Sequence, residues 1–280
     1  MRAAVFLILT AMTLIPLGDS AGKVLSAHMG VSSYFVAGSR FAIGAIVAIV
    51  IFGAQGLRLL SNWRVWLRAL PLVVGINAIL IALSTAPFAN VFAAFFIGPL
   101  LSYVFSAWLL REPVSRMQSL LIAAGFIGVL IVVRPGPDMN VGMGWAALAG
   151  ISYGLYLTTA RWLSTLAPPR DLLTSQLVIG AMLTAPVAWL HLPAPELQII
   201  PPILISALGS MIGNLLLLTA YSMAPATRLA PLIYFQLVSA TVLGYAVFDD
   251  IPDGWSFTGL GLVLVAGLWS ASLGNRRVRG

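Results

Sequence analysis

The segment Gly75–Ala89, GINAILIALSTAPFA, recurs as Ile212–Ala226, IGNLLLLTAYSMAPA, and the shift of about 137 residues lays Asn77 on Asn214. Each half of the chain then holds five apolar stretches. An odd number of membrane crossings forces the second copy to enter the bilayer upside down relative to the first. Inverted repeats with a polar site at their junction are an architecture of secondary transporters. The expected fold is an all-α membrane protein, with ten transmembrane helices arranged as two inverted five-helix repeats. The repeats are residues 1–136 and 137–280.

Composition agrees with a lipid environment. Apolar residues make up 60% of the chain and charged residues 8%, with mean hydropathy +1.00. Soluble domains carry roughly 25% charged residues, so this chain has too little polar surface to cover a globule in water. The pI near 10.4 does not point to nucleic acid. Its Lys and Arg residues are scattered over short loops, with no basic helix face and no aromatic-interleaved patch. The absence of cysteine removes disulfides, thiol nucleophiles and thiolate metal sites from consideration.

The ten expected spans are 3–24, 32–54, 65–84, 87–110, 114–134, 142–162, 171–191, 199–221, 226–248 and 255–273. Each is long enough for a hydrocarbon layer of about 30 Å at about 1.5 Å per residue. Turn chemistry separates several of them, as in Pro135–Asp138, Ala167–Pro169, Leu192–Glu196 and Ile251–Gly254. The first 22 residues also have the shape of a secretory leader. They are read here as the first span, because their removal would leave nine spans and break the five-plus-five symmetry. A cytoplasmic N-terminus puts Arg2, Arg58, Arg64, Arg68, Arg111, Arg116, Arg161, Arg170, Arg228, Arg276, Arg277 and Arg279 inside. Only Lys23 and Arg134 remain outside, and Arg40 lies within a span. That bias follows the positive-inside rule and makes both termini cytoplasmic, in a multi-pass protein of the bacterial inner membrane.

Further matches keep nearly the same spacing. Phe41–Ile46 pairs with Leu177–Met182, which aligns Arg40 with Gln176, and the span ending at Pro113 pairs with the one ending at Asp250. This ten-span pattern, Arg40 in the second span and the block PLLSYVFSAWLLREPVSRMQSLLIAAGFIGVLIVVRPG resemble the drug/metabolite transporter superfamily, EamA type. Glu112 at the end of the fourth span and Gly125 and Gly128 in the fifth fit that resemblance. Where the family often carries Glu in the second copy, this chain has Asp249–Asp250 and the insertion IPDG. The resemblance implies a cavity lined by the third, fourth, eighth and ninth spans. It also implies a small organic metabolite as substrate, with amino acids and related compounds exported and riboflavin or S-adenosylmethionine imported by different members.

Charged groups at membrane depth are the first candidates for solute contact, since each costs about 2.5–3.5 kcal/mol to insert. Asp19 and Arg40 are expected at similar depth on adjacent helices. Lys23, one turn beyond Asp19, is an alternative partner at i,i+4. The set Asp19, Lys23 and Arg40 is either a structural ion-pair cluster or a proton- or substrate-handling site. Asn77 and Asn214 hold symmetric positions, where a side-chain amide needs an interhelical partner or a wet cavity. Tyr103, Tyr153, Tyr156, Tyr234 and Gln236 would add polar edges to an aromatic pocket. The substrate-binding set is thus Asn77, Tyr103, Tyr153, Asn214, Tyr234 and Gln236, each with packing as its plainer role.

Enzymatic readings fail on context. Gly150–Gly154 fits G-x-S-x-G but sits inside an apolar helix, without the strand–turn–helix elbow that motif needs. Asp249–Asp253 has the look of a magnesium motif, but Pro252 interrupts it and no second Asp-rich run exists. No catalytic residue, metal or cofactor is expected; the partners are a small solute and the bilayer. The leading expectation is outward transport of an amino acid or related metabolite by alternating access. The alternative is uptake of a vitamin- or nucleoside-like compound such as riboflavin or S-adenosylmethionine.

Overall fold

A computed structural model of the protein describes residues 2–109, 116–133, 140–223 and 230–276. Arg111, Glu112, Pro113, Arg134, the turn at Pro135–Asp138, Arg228, Arg277 and Arg279, all used above, lie outside the described residues. Among the described residues every regular element is helical. They are α1 (Arg2–Lys23), α2 (Ser33–Phe52), α3 (Trp63–Thr85), α4 (Phe88–Phe95), α5 (Ile97–Leu109), α6 (Arg116–Val133), α7 (Val141–Trp162), α8 (Pro169–Leu190), α9 (Ile200–Met223), α10 (Phe235–Phe248) and α11 (Gly254–Arg276). A π-helical turn, Val24–His28, extends α1, and tighter 3-10 turns occupy Ala54–Ser61, Leu197–Ile199 and Ala230–Tyr234.

Local chemistry explains the helix ends. Asn62 caps α3 by accepting from the Arg64 amide at 3.1 Å, and Asn140 caps α7 by accepting from the Gly142 amide at 2.7 Å. Asn140 also donates to the Thr85 carbonyl at 3.1 Å, tying the end of α3 to the start of α7. Asp253 accepts from the Ser256 amide at 2.9 Å at the start of α11, and Pro169 opens α8 where its missing N–H is harmless. Asp249 ends α10 in the left-handed region at φ 52°.

The expected fourth and ninth spans are interrupted. The fourth is split at Phe96 into α4 and α5, and the helix restarts with Pro99 in its first turn, where proline is tolerated. In the ninth, the 3-10 turn Ala230–Tyr234 contains Pro231 and leads into α10.

Among the described residues, six helical stretches are long and apolar enough to cross a membrane: Ala3–His28, Ser33–Phe52, Trp63–Thr85, Phe88–Leu109, Pro169–Leu190 and Leu197–Met223. The expectation of ten such segments is therefore met at six by this measure. α6, α10 and α11 contribute shorter apolar stretches, Ser119–Val132, Leu232–Phe248 and Gly254–Ala266. α7 has the length but is diluted by Ser152, Tyr153, Tyr156 and Thr158, which are buried inside the protein. Ile46, Val50, Leu120, Leu190 and Trp189 stand exposed, an outer surface that water would not tolerate over so wide an area.

Elements before residue 136 pack mainly on elements after it. α1 lies against α9, α2 against α8, α3 against α7, α6 against α11, and α5 against α7. Small residues set the closest approaches. A Cβ on Gly18 would meet the Ser206 carbonyl and the Ser210 amide at 3.0 Å, and one on Gly128 would meet the Gly259 carbonyl at 2.8 Å. Such contacts let helix backbones touch where lipid supplies no hydrophobic drive for association.

Candidate functional site

Asp19 on α1 and Arg40 on α2 meet in the protein interior. Arg40 Nη1 donates to Asp19 Oδ1 at 2.5 Å, and both side chains are nearly inaccessible. The rest of the guanidinium is equally engaged. Nε donates to Ser206 Oγ on α9 at 2.7 Å, and Nη2 donates to the Gly18 carbonyl at 2.7 Å. Three helices are thereby joined around a charge-balanced group, the condition under which a buried pair is tolerated. Gly22 makes room for it: a Cβ there would stand 2.7 Å from Arg40 Nη2.

This cluster forms one wall of a small cavity of about 40 Å³ between the halves of the chain. α3 contributes the stripe Pro71, Leu72, Gly75, Ile76 and Ile79, and the other walls include Tyr153, Ser210, Asn214 and Gln236. Two polar atoms at this cavity have no hydrogen-bond partner among the described residues, the Tyr153 hydroxyl and Gln236 Oε1. Phe95 closes another side and packs on the Tyr153 ring at 4.8 Å. The space holds a water or two, well below the roughly 300–1,000 Å³ of ordinary ligand pockets. The cavity is small, with its polar groups set in a mostly apolar lining.

Towards the α1 C-terminus lies a plug. Lys23 Nζ donates to Asp250 Oδ2 at 2.8 Å and stands 4.5 Å from the centre of the Phe248 ring. The same Asp250 oxygen accepts from the Phe88 amide at 2.8 Å, while Phe88 and His28 both stack on Phe248. Four segments from both halves converge there.

The sequence profile of the EamA-like transporter family matches residues 2–134 and, a second time, residues 140–271. The chain belongs to the EamA-like transporter family. It is thus a multi-pass membrane protein of the drug/metabolite transporter superfamily and not an enzyme. An S-adenosylmethionine uptake transporter of Rickettsia bellii is 28% identical over 260 residues, covering 90% of this chain and 88% of that protein. A riboflavin transporter of Rhizobium johnstonii is 25% identical over 237 residues, covering 81% and 76%. A second riboflavin transporter, from Vibrio cholerae, is 24% identical over 265 residues, covering 92% and 89%. A solved structure described only as a crystal structure of a protein superposes with TM-score 0.71 at 20% identity, covering both chains fully. That likeness concerns the fold.

Within this EamA-type bundle the expected site residues separate into groups. Asp19, Arg40, Tyr153, Asn214 and Gln236 come together at the cavity. Lys23 does not join them: the i,i+4 pairing with Asp19 is replaced by the pairs Asp19–Arg40 and Lys23–Asp250. Asn77 is rotated about 100° from Ile76 around α3 and off the cavity-facing stripe. Its amide nitrogen donates to the Val73 carbonyl at 2.8 Å, as that of Asn214 does to Ser210. Tyr234 is buried against the Phe96 ring at 5.3 Å and is absent from the cavity wall. Tyr103 lines a separate apolar groove of about 640 Å³ with Leu100, Val104, Trp108 and Phe126, on the α5–α6 side. The periodicity of an apolar helix does not tell which face meets lipid, so these two tyrosines were indistinguishable from Tyr153 in sequence.

Sequence reasoning also passed over three participants. Ser206 is one of many serines in apolar helices and carries no signal of its own. Asp250 was noted in an acidic run and where the family often carries Glu, but no partner was assigned to it. Arg68 was counted among cytoplasmic cations, yet it is fully buried on α3. Its position five residues inside a helix was the available signal.

Proposed function

We propose that this protein is a secondary carrier of ten membrane-crossing helices, two inverted halves, that moves a small organic metabolite by alternating access. The observation that carries the reading is the small cavity between the halves, where polar atoms without a partner among the described residues stand beside a charge-balanced ion pair. The packing supports two equivalent halves. Exchanging α1 with α7 and α3 with α9 turns the α1–α9 contact into the α3–α7 contact, and both are extensive. The doubled profile match supports the same division. Exposed Trp63, Trp108 and Trp162 at one set of helix ends and Trp189 and Trp255 at the other fit two interfacial belts. With the cation bias, they support an inner-membrane protein whose first helix enters from the cytoplasm.

In that orientation the Lys23–Asp250 plug is the outer gate, and the cavity is the solute site in a shut state. A solute of nucleoside size needs the gate to open. The named relatives favour an S-adenosylmethionine- or riboflavin-like solute, and the uptake transporter among them favours inward movement; outward transport of amino acids draws no support from them. Uptake into proteoliposomes by the purified protein tests this with labelled S-adenosylmethionine, riboflavin and an amino-acid mixture. Saturable uptake of the first or second is expected. Transport of amino acids alone, or of none of the three, overturns it.

A further inference from the structure

Shifting the Asp19–Arg40–Ser206 cluster by 136–138 residues lands on Tyr156, Gln176 and Arg68. These three also meet. The Tyr156 hydroxyl donates to Gln176 Oε1 at 3.3 Å, and the Arg68 guanidinium lies 5.5 Å from the Tyr156 ring centre. The first cluster lies roughly 10 Å from one set of helix ends and the second roughly 8–10 Å from the other, with the cavity between. They are counterparts in position and differ in charge, the first being neutral and the second carrying one positive charge. Arg40 has a carboxylate and every guanidinium nitrogen engaged. Among the described residues Arg68 makes one hydrogen bond, from Nη1 to the Leu172 carbonyl at 3.1 Å, with Tyr156 as its close electrostatic neighbour.

Arg68 Nε and Nη2 have no acceptor among the described residues, nor has Gln176 Nε2, although Arg68 and Gln176 are almost wholly inaccessible. Nε and Nη2 form one edge of the guanidinium, the edge that grips two oxygens of a carboxylate or phosphate side by side. A cation buried with that edge open lacks the counter-charge that makes burial tolerable. Leu72 and Pro71, within a turn of Arg68 on α3, line the cavity, and so does Tyr153, whose ring lies 6.0 Å from that of Tyr156.

We propose that Arg68, with Gln176, is the subsite for an oxyanion carried by the solute, a carboxylate or a phosphate, on the side of the cavity facing the α3 N-terminus. The proposal rests on the transport reading and deepens it: the solute has an anionic end, and that end leads towards the cytoplasm. The Asp19–Arg40 pair, already neutral, has no such affinity.

The full chain, purified in detergent, tests the subsite without a known solute. Formate, compared with chloride at equal ionic strength, raises the melting temperature of the wild type. It does not raise that of Gln176→Glu, whose own carboxylate supplies the missing counter-charge, nor that of Arg68→Gln where this variant folds. Equal formate protection in wild type and Gln176→Glu overturns the proposal. In proteoliposomes, S-adenosylmethionine binds at least about tenfold better than its decarboxylated analogue, or riboflavin 5′-phosphate better than riboflavin by the same factor, the worth of one charge-assisted contact. The first contrast identifies a carboxylate and the second a phosphate. Gln176→Glu abolishes the preference for the anionic member of each pair. Uptake of the anionic solute unchanged in Gln176→Glu overturns the subsite alone. Arg68-dependent formate protection in a protein that carries none of these solutes supports the subsite and sinks the transport reading.

Discussion

Asp250→Asn removes the charge that joins Lys23 to the loops at the proposed outer gate. The pair is not a solvated surface contact: the Lys23 and Asp250 side chains are 9% and 23% exposed, and Nζ and Oδ2 are 2.8 Å apart. At an effective dielectric constant near 20 the Coulomb attraction at that distance is roughly 6 kcal/mol before desolvation is subtracted. Desolvation cancels most of it, and hydrogen bonds to charged groups contribute about 2 kcal/mol net. Lys23 keeps its place over the Phe248 ring and near the Ala86 carbonyl, so the closed packing is weakened without being abolished. Two kilocalories, about a thirtyfold shift in a two-state equilibrium, then favour the outward-open form. The natural chain has no cysteine, so a single Ser210→Cys on the cavity wall reports exposure on a silent background. Adding Asp250→Asn should speed modification of that thiol by an impermeant reagent from outside by about thirtyfold. The doubly exchanged Lys23→Asp, Asp250→Lys chain should return the rate towards that of the parent. An unchanged outside rate, or acceleration only from the cytoplasmic side, would refute the gate.

Three more outcomes follow from the same contacts. Asp19→Asn leaves Arg40 buried without its counter-charge and should destabilise the protein by about 3–5 kcal/mol, read as thermal unfolding in detergent; a melting temperature equal to the parent's would mean the pair is not the tie described. Gly22→Ala forces a methyl group against Arg40 Nη2 and Leu80 Cδ2, each 2.7 Å away, and should cost about 1–3 kcal/mol in the same assay. Gln236→Leu and Tyr153→Phe should each weaken solute binding about tenfold by removing open polar atoms at the cavity, whereas Tyr103→Phe should leave the apparent KM unchanged. A KM that responds to Tyr103 and not to Gln236 would relocate the site to the α5–α6 groove.

The sequence alone determined that the chain is helical, that it is a lipid-embedded member of this transporter family, and approximately where its helices begin and end. Apolar run length is a local quantity, and the caps that the structure shows at Asn62, Asn140 and Asp253 likewise act within two or three residues of the helix starts. The duplicated Asn and the rare buried charges also marked Asp19, Arg40 and Asn214 as residues of interest. Which partner each charge takes was decided only by the tertiary structure. Asp19 had Lys23 within four residues and still pairs with Arg40, because α1, α2 and α9 pack closely enough at Gly18, Gly22 and Gly209 to enclose a guanidinium. Lys23 is then carried to Asp250, 227 residues away in sequence. Helix periodicity gives spacing along a helix but not its rotation about its own axis when every face is apolar. That rotation, set by packing between the two halves, turns Tyr153 to the cavity and Tyr103 to the outer groove, and it encloses Arg68, which had been counted among the cytoplasmic cations at the start of the third span.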